Sequence, residues 1–253
     1  MIYLKIKNMP LNRFFIEKKN LVGKNVFIED KEQIHQIIKV LRLKIGNQII
    51  VLDNSGFEYL VNLEKFNQQI EGYILKKRKN KNEPKIKIIL CQSLLKHDKF
   101  EQVLKFGTSL GLTGFIPIVS ERSIVKEISQ NKLIRYQKII KESAEQSGRG
   151  LLPKLENLMT FKDLLDFLKN KNALKLLAWE EEKRTKLFNL QNKIREAKII
   201  YLLIGPEGGF SETEAVLAEK NGFLPFSLGK LILRAEIAGV VASSIIFNYN
   251  KIV

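Results

Sequence analysis

Residues 199–246 constrain the fold of this chain more than any other stretch. They read IIYLLIGPEGGFSETEAVLAEKNGFLPFSLGKLILRAEIAGVVASSII. The apolar run at 199–204 has the composition of a strand buried on both faces, and it stops at Gly205-Pro206-Glu207-Gly208-Gly209. Ser211 to Glu214 spells Ser-Glu-Thr-Glu, a capping box that starts a helix, and Asn221-Gly222 stops it. A second apolar segment, 223–228, reaches Gly229, and after Arg234 a small-residue helix begins near Ala235. Two strands therefore each run into a glycine-bearing loop and then a helix. In a parallel sheet both loops lie at the carboxyl ends of the strands, where open α/β sheets bind ligands. A tight turn before a capped helix accounts for the first loop's glycines as well as a ligand does. The spacings GxGxxG and GxxxxGK[ST] are absent from this stretch, which argues against a Rossmann or P-loop phosphate site.

The rest of residues 86–253 repeats the alternation. Apolar 86–91 precedes a helix that begins at His97-Asp98-Lys99 and ends near Gly111. Residues 115–119 form a strand followed by Ser120-Glu121-Arg122-Ser123, and a long helix over 130–146 ends in Glu145-Gln146-Ser147-Gly148-Arg149. Thr160 starts another helix with Leu164, Leu165 and Leu168 inward, and 173–179 is a strand. Strand–helix alternation predicts a parallel sheet covered on both faces. Residues 1–75 have a different rhythm. Short strands at 13–16, 25–28, 48–52, 57–63 and 69–75 surround one helix, capped by Asp30, with Gln33 three residues on. Its apolar face is Ile34, Ile37, Ile38 and Leu41, and the whole suggests a small barrel. Residues 76–85, KKRKNKNEPK, read as the linker.

The charge balance is +16, from 43 Lys+Arg against 27 Asp+Glu. Positive charge is denser at the amino end: residues 1–90 carry 18 basic and 9 acidic groups. A polyanionic partner fits this excess, and so does a lysine-rich coding bias. The single cysteine, Cys91, rules out an internal disulfide and suits a reducing compartment. The start lacks the apolar core and cleavage site of a signal peptide, and no run approaches the ~18 apolar residues of a membrane span. A cytoplasmic protein with no membrane is expected. His35 and His97 are too far apart in sequence to suggest a metal cluster, so no metal is expected.

The paired motifs GPEGGFSETE and LGKLILRAE resemble those of the SPOUT class of RNA methyltransferases, and within it the RsmE family. The likeness spans both domains. In the second it includes Leu95-Lys96, Asp98-Lys99, Leu110-Gly111, Pro117, Ser120-Glu121-Arg122-Ser123 and residues 145–149; in the first, Met9-Pro10, Arg13-Phe14-Phe15, His35 and residues 40–44. The resemblance implies a PUA-like β-barrel before an α/β SPOUT domain with a deep trefoil knot, a rare exception to normal topology. It implies methylation by S-adenosylmethionine of N3 of a uridine in 16S ribosomal RNA of the small subunit, and a homodimer. The small-residue face Ala238, Gly239, Ala242, Ser243 and Ser244 suits close helix packing, within or between subunits.

Carried onto this sequence, the cofactor would be held by Leu203, Gly205, Pro206, Glu207, Gly208, Gly209, Leu228, Gly229, Leu231, Leu233, Arg234 and Ala238. Arg234 and Arg122 are candidates to stabilise negative charge on the uracil, and Glu236 is the carboxylate of the catalytic set, with Glu207 nearby. Arg13, His35, Arg42, Lys44, Arg122 and Arg149 are the candidate RNA contacts. On a helix of this kind a histidine such as His35 is expected to be half-buried. The chain departs from the family pattern at Phe106, Ser109, Leu231, Ala235 and Ile237. An alanine at 235 is expected to remove an N-cap hydroxyl worth roughly 1 kcal/mol. Those departures leave two further readings open: another RNA target, such as a ribose 2′-hydroxyl, or an RNA-binding relative with impaired catalysis.

Overall fold

The computed structural model describes residues 11–250, and Met9-Pro10 lies outside them. The chain forms two compact units. The first takes the chain through Glu83 together with Gly148–Leu151; the second takes Pro84–Ser147 and the chain from Leu152 onward.

In the first unit the strands are β1 (Arg13–Phe15), β2 (Leu21–Val22), β3 (Asn25–Ile28), β4 (Gln48–Leu52), β5 (Phe57–Phe66) and β6 (Ile70–Lys79). Their order is β1-β4-β5-β6-β3-β2, antiparallel except for β1 against β4. Phe14 of β1 and Val26 of β3, nearly at opposite ends of that order, share one core with Ile49, Val51, Val61 and Ile70. The sheet is therefore curled around its apolar face, as a small barrel requires. Helix α1 (Lys31–His35) passes directly into a π-turn, Gln36–Val40, and Ile37 plugs the core. The Asp30 carboxylate caps α1 by accepting from the amides of Glu32 and Gln33. The Gln33 side chain is buried and donates to Phe15 O at 2.9 Å, so it ties the helix to β1 instead of closing a capping box.

Residues 76–79, expected in the linker, continue β6. Cross-strand partners on β5 explain why a basic tetrad forms a strand. The Lys77 ammonium lies over the rings of Phe57 and Tyr59, at 4.5 and 5.3 Å, and Arg78 pairs with Glu58.

The second unit contains β7 (Lys87–Ser93), α2 (Lys99–Leu110), β8 (Gly114–Val119), α3 (Gln130–Ser147), β9 (Lys154–Leu155), β10 (Met159–Thr160), α4 (Phe161–Leu168), β11 (Leu174–Ala178), α5 (Gln191–Glu196), β12 (Ile199–Ile204), α6 (Glu212–Lys220), β13 (Phe223–Phe226) and α7 (Ala235–Tyr249). Every pairing is parallel, in the order β10-β8-β7-β12-β11-β13, with β9 also on β8. The central strands are mostly apolar because both faces are covered, β12 (IIYLLI) most completely. On β12, Ile200, Leu202 and Ile204 face the layer built by α2, α3, α5 and α7. Tyr201 and Leu203 face the layer of α4 and α6. This period-two alternation decides which residue at the end of β12 reaches which side. The expected capping boxes form at Thr160/Asp163 and Ser211/Glu214. Among the described residues no helix is long and apolar enough to cross a membrane.

Candidate functional site

Three strand ends lie in a row, β12, β11 and β13, and their following loops surround one cleft of about 410 Å³. After β12 the chain turns at 205–209. The Gly205 carbonyl accepts from the buried Gln92 side chain at 3.1 Å, and the Gly209 amide closes the turn on Pro206 O at 3.0 Å. Gly209 has φ +67°, and a Cβ there would overlap the Glu180 carboxylate. Two demands, left-handed backbone and close approach, thus make this position a glycine. The turn is braced from β8. Arg122 Nη1 donates to Gly208 O at 2.9 Å, the Glu121 amide donates to Glu214 at 2.8 Å, and Ser211 Oγ donates to Glu121 at 2.6 Å.

After β13 the chain passes Ser227, whose hydroxyl accepts from the Gly229 amide at 3.2 Å. Leu231 and Ile232 then stand largely in solvent, 83% and 86% exposed. Arg234 is the N-cap of α7 and Ala235 its first helical residue. The expected loss of a capping hydroxyl at 235 therefore does not apply: the cap position is 234, and no side chain caps there.

The charged groups of the cleft are Lys99, Glu180, Glu207, Lys230, Arg234 and Glu236. Lys99, on the first turn of α2, reaches Glu207 Oε1 at 3.2 Å and Glu236 Oε2 at 3.9 Å. Burial pushes the Glu207 carboxyl up. Its own amide, the Lys96 amide at 3.1 Å and the Lys99 ammonium outweigh that and hold it below the usual value. Glu207 is therefore ionised and already engaged, a poor proton acceptor at neutral pH. Glu236 is buried, and its Oε2 accepts no hydrogen bond from the described residues. Trp179 Nε1, at the end of β11, is likewise buried and donates none. Two residues that line the cleft thus carry an unused donor and an unused acceptor among the described residues.

Most of the expected cofactor residues line this cleft: Gly205, Pro206, Glu207, Gly209, Leu228, Gly229, Leu231, Leu233, Arg234 and Ala238, with Glu236 beside them. Two do not. Leu203 faces the α4–α6 layer, and its place in the lining is taken by Ile204, one residue on. Gly208 turns toward Arg122. The sequence reading missed Lys99, Trp179, Glu180, Ser227, Lys230 and Ile232 as lining residues. Trp179 carried a signal, since it ends a parallel strand at the ligand-binding edge.

In the first unit, His35, Arg42 and Lys44 are exposed and Arg13 is half-buried on β1. The expectation that His35 is half-buried is corrected, because it lies one position off the face that carries Ile34 and Ile38. The Arg149 side chain is 4% exposed and pairs with Glu83 at 2.8 Å.

Residues 81–247 match the family described as RNA methyltransferase domain, and residues 28–67 match RNA methyltransferase PUA domain. Ribosomal RNA small subunit methyltransferase E of Mesomycoplasma hyopneumoniae is 36% identical over 231 residues, covering 90% of this chain and 95% of that one. The Bacillus subtilis protein of the same name is 32% identical over 247 residues, covering 93% and 96%. The crystal structure of ribosomal RNA small subunit methyltransferase E from Neisseria gonorrhoeae, bound to S-adenosyl methionine, is 29% identical with a TM-score of 0.84, covering 94% and 97%.

Proposed function

This chain belongs to the ribosomal RNA small subunit methyltransferase E family, and from that premise we propose that it transfers a methyl group from S-adenosylmethionine to N3 of a uridine in 16S ribosomal RNA of the small subunit. The observation that carries the reading is the cleft at the ends of β12, β11 and β13. Its glycine-bearing turns, apolar walls and two unused buried polar atoms, Trp179 Nε1 and Glu236 Oε2, fit a ligand with an aromatic part and charged ends.

When bound, S-adenosylmethionine supplies a methyl group already activated on a sulfonium centre. The chain's own task is to place uracil N3 in line with that carbon and to favour loss of the N3 proton. The turns 205–209 and 228–238 would hold the donor, and Ile204 and Leu228 supply apolar lining there. Arg234, 80% exposed at the mouth of the cleft, is free to turn toward the incoming base. Its guanidinium offsets the charge that develops on uracil O2 or O4 as the proton leaves. Arg122 keeps the 205–209 turn in register through Gly208 O. RNA is gripped in the first unit by Arg13, Arg42 and Lys44, whose positive charge tracks phosphate, with His35 beside them as a polar contact. A homodimer, a cytoplasmic setting and a knotted carboxyl-terminal segment belong to the same reading. Support for the knot is that α7, last in the chain, packs on β7 and β12 in mid-sheet although the preceding β13 is an edge strand.

The test is methyl transfer from labelled S-adenosylmethionine to small subunits that lack their own modification, followed by nucleoside analysis. The expected product is 3-methyluridine. A 2′-O-methylated nucleoside would move the chain to another SPOUT chemistry, and RNA binding without transfer would mark a catalytically impaired relative.

A further inference from the structure

Glu236 sits in the first turn of α7 with its carboxylate 7% exposed. Its place in the first turn puts the positive end of the helix dipole beside the carboxylate. Its cationic neighbours leave it incompletely neutralised. The Lys99 ammonium is closer to Glu207, at 3.2 Å, than to Glu236, at 3.9 Å, so one half-buried cation serves two carboxylates. Arg234 Nη1 is 4.0 Å from Glu236 Oε1, but its side chain is 80% exposed and screened by water. Glu180 and Lys230, the other charged groups of the cleft, are exposed. Glu236 Oε2 is thus a buried carboxylate oxygen that accepts no hydrogen bond from the described residues, on a residue that lines the cleft together with the apolar Ile204 and Ala238. Such an oxygen is costly until a positive charge meets it.

We propose that the Glu236 carboxylate is a cation-selecting element, which binds the sulfonium of the methyl donor and thereby discriminates against the uncharged thioether product. The inference rests on the methyl-transfer reading above and assigns one residue of that site. A sulfonium is flanked by alkyl groups, so moving it against apolar walls costs less desolvation than burying an ammonium. Its polarised methyl hydrogens also suit an oxygen with no N–H or O–H partner. Once the methyl group has moved to the base, the positive charge on sulfur is gone. The contact then weakens, and Glu236 favours exchange of product for fresh donor. Lys99 tunes the selection, since it is the cation that already shares this carboxylate.

The experiment is calorimetric titration of the full chain with S-adenosylmethionine and, separately, S-adenosylhomocysteine. The two ligands share the adenosine, the α-ammonium and the α-carboxylate, and differ in the charge on sulfur. The unaltered chain should bind the methylated ligand more tightly. Glu236→Gln should lower that preference roughly tenfold, about 1.4 kcal/mol, by weakening the methylated ligand alone. Lys99→Gln should move the ratio the other way, because it removes the competing cation. Equal weakening of both ligands by Glu236→Gln would place the oxygen at the shared ammonium and overturn the proposal, as would no change in either. Should Glu236→Gln fail to fold in a circular dichroism melt, the Lys99→Gln ratio decides: a rise supports the proposal, and a fall or no change overturns it. Failure of the unaltered chain to bind either ligand would instead overturn the methyltransferase reading itself.

Discussion

Replacing Gly209 by alanine separates two demands that the structure places on one position. The backbone there has φ +67°, and a Cβ would overlap the Glu180 carboxylate. Left-handed backbone costs a residue with a Cβ about 1–2 kcal/mol. The overlap itself is relieved more cheaply, because the obstacle is the far end of a flexible, exposed side chain. Conformational strain should therefore dominate, with Gly209→Ala losing about 1–2 kcal/mol in all, or roughly 3–6 °C of melting temperature for a chain of this size. The double variant Gly209→Ala/Glu180→Ala removes the overlap and leaves the strain, so it should recover no more than about 0.5 kcal/mol. Thermal unfolding followed by circular dichroism on the three proteins gives the numbers. An unchanged melting temperature for Gly209→Ala, or full recovery in the double variant, would refute the assignment of the glycine to backbone conformation.

Arg234→Ala should abolish methyl transfer while shifting the melting temperature by less than about 2 °C, because it removes an exposed charge at the cleft and no core volume; near-normal turnover would exclude Arg234 from the mechanism. Ser211→Ala should cost about 1–2 kcal/mol in denaturant titration, since it removes the N-cap of α6 and the hydroxyl that donates to Glu121 at 2.6 Å. Glu207 has a depressed carboxyl, so its contribution to stability is full above its ordinary value of 4.5 and is lost as pH falls through its lower folded value. The stability gap between the unaltered chain and Glu207→Gln, measured by urea unfolding, should therefore be constant near neutrality and shrink only in acid.

Much of the second unit was legible because most of its strands are short apolar runs and two of its helices, α4 and α6, carry side-chain caps. The capping signals at Thr160 and Ser211, and the stops at Gly111 and Gly222, all act over a few residues, the range in which sequence pattern determines structure. The two glycine-bearing turns were legible for the same reason. Lys99 was not, because its role depends on α2 being carried beside the 205–209 turn by pairing of β7 with β12, more than 100 residues apart. Leu203 and Ile204 are both apolar and adjacent, so composition cannot say which faces the cleft; the register of β12 between two helical layers does. The basic tetrad 76–79 reads as linker until Phe57, Glu58 and Tyr59 are known to lie across from it. The pairing of Arg149 with Glu83, 66 residues earlier, is likewise beyond the reach of local pattern.

The methyl-donor site is proposed to lie in the loops following β12, β11 and β13. Crystals of the chain grown with S-adenosylmethionine test this placement most directly. Difference density for the donor should lie between residues 205–209 and 228–238, with Trp179 and Glu236 in contact with it. Density for a bound donor elsewhere in the second unit, with this cleft empty, would contradict the placement.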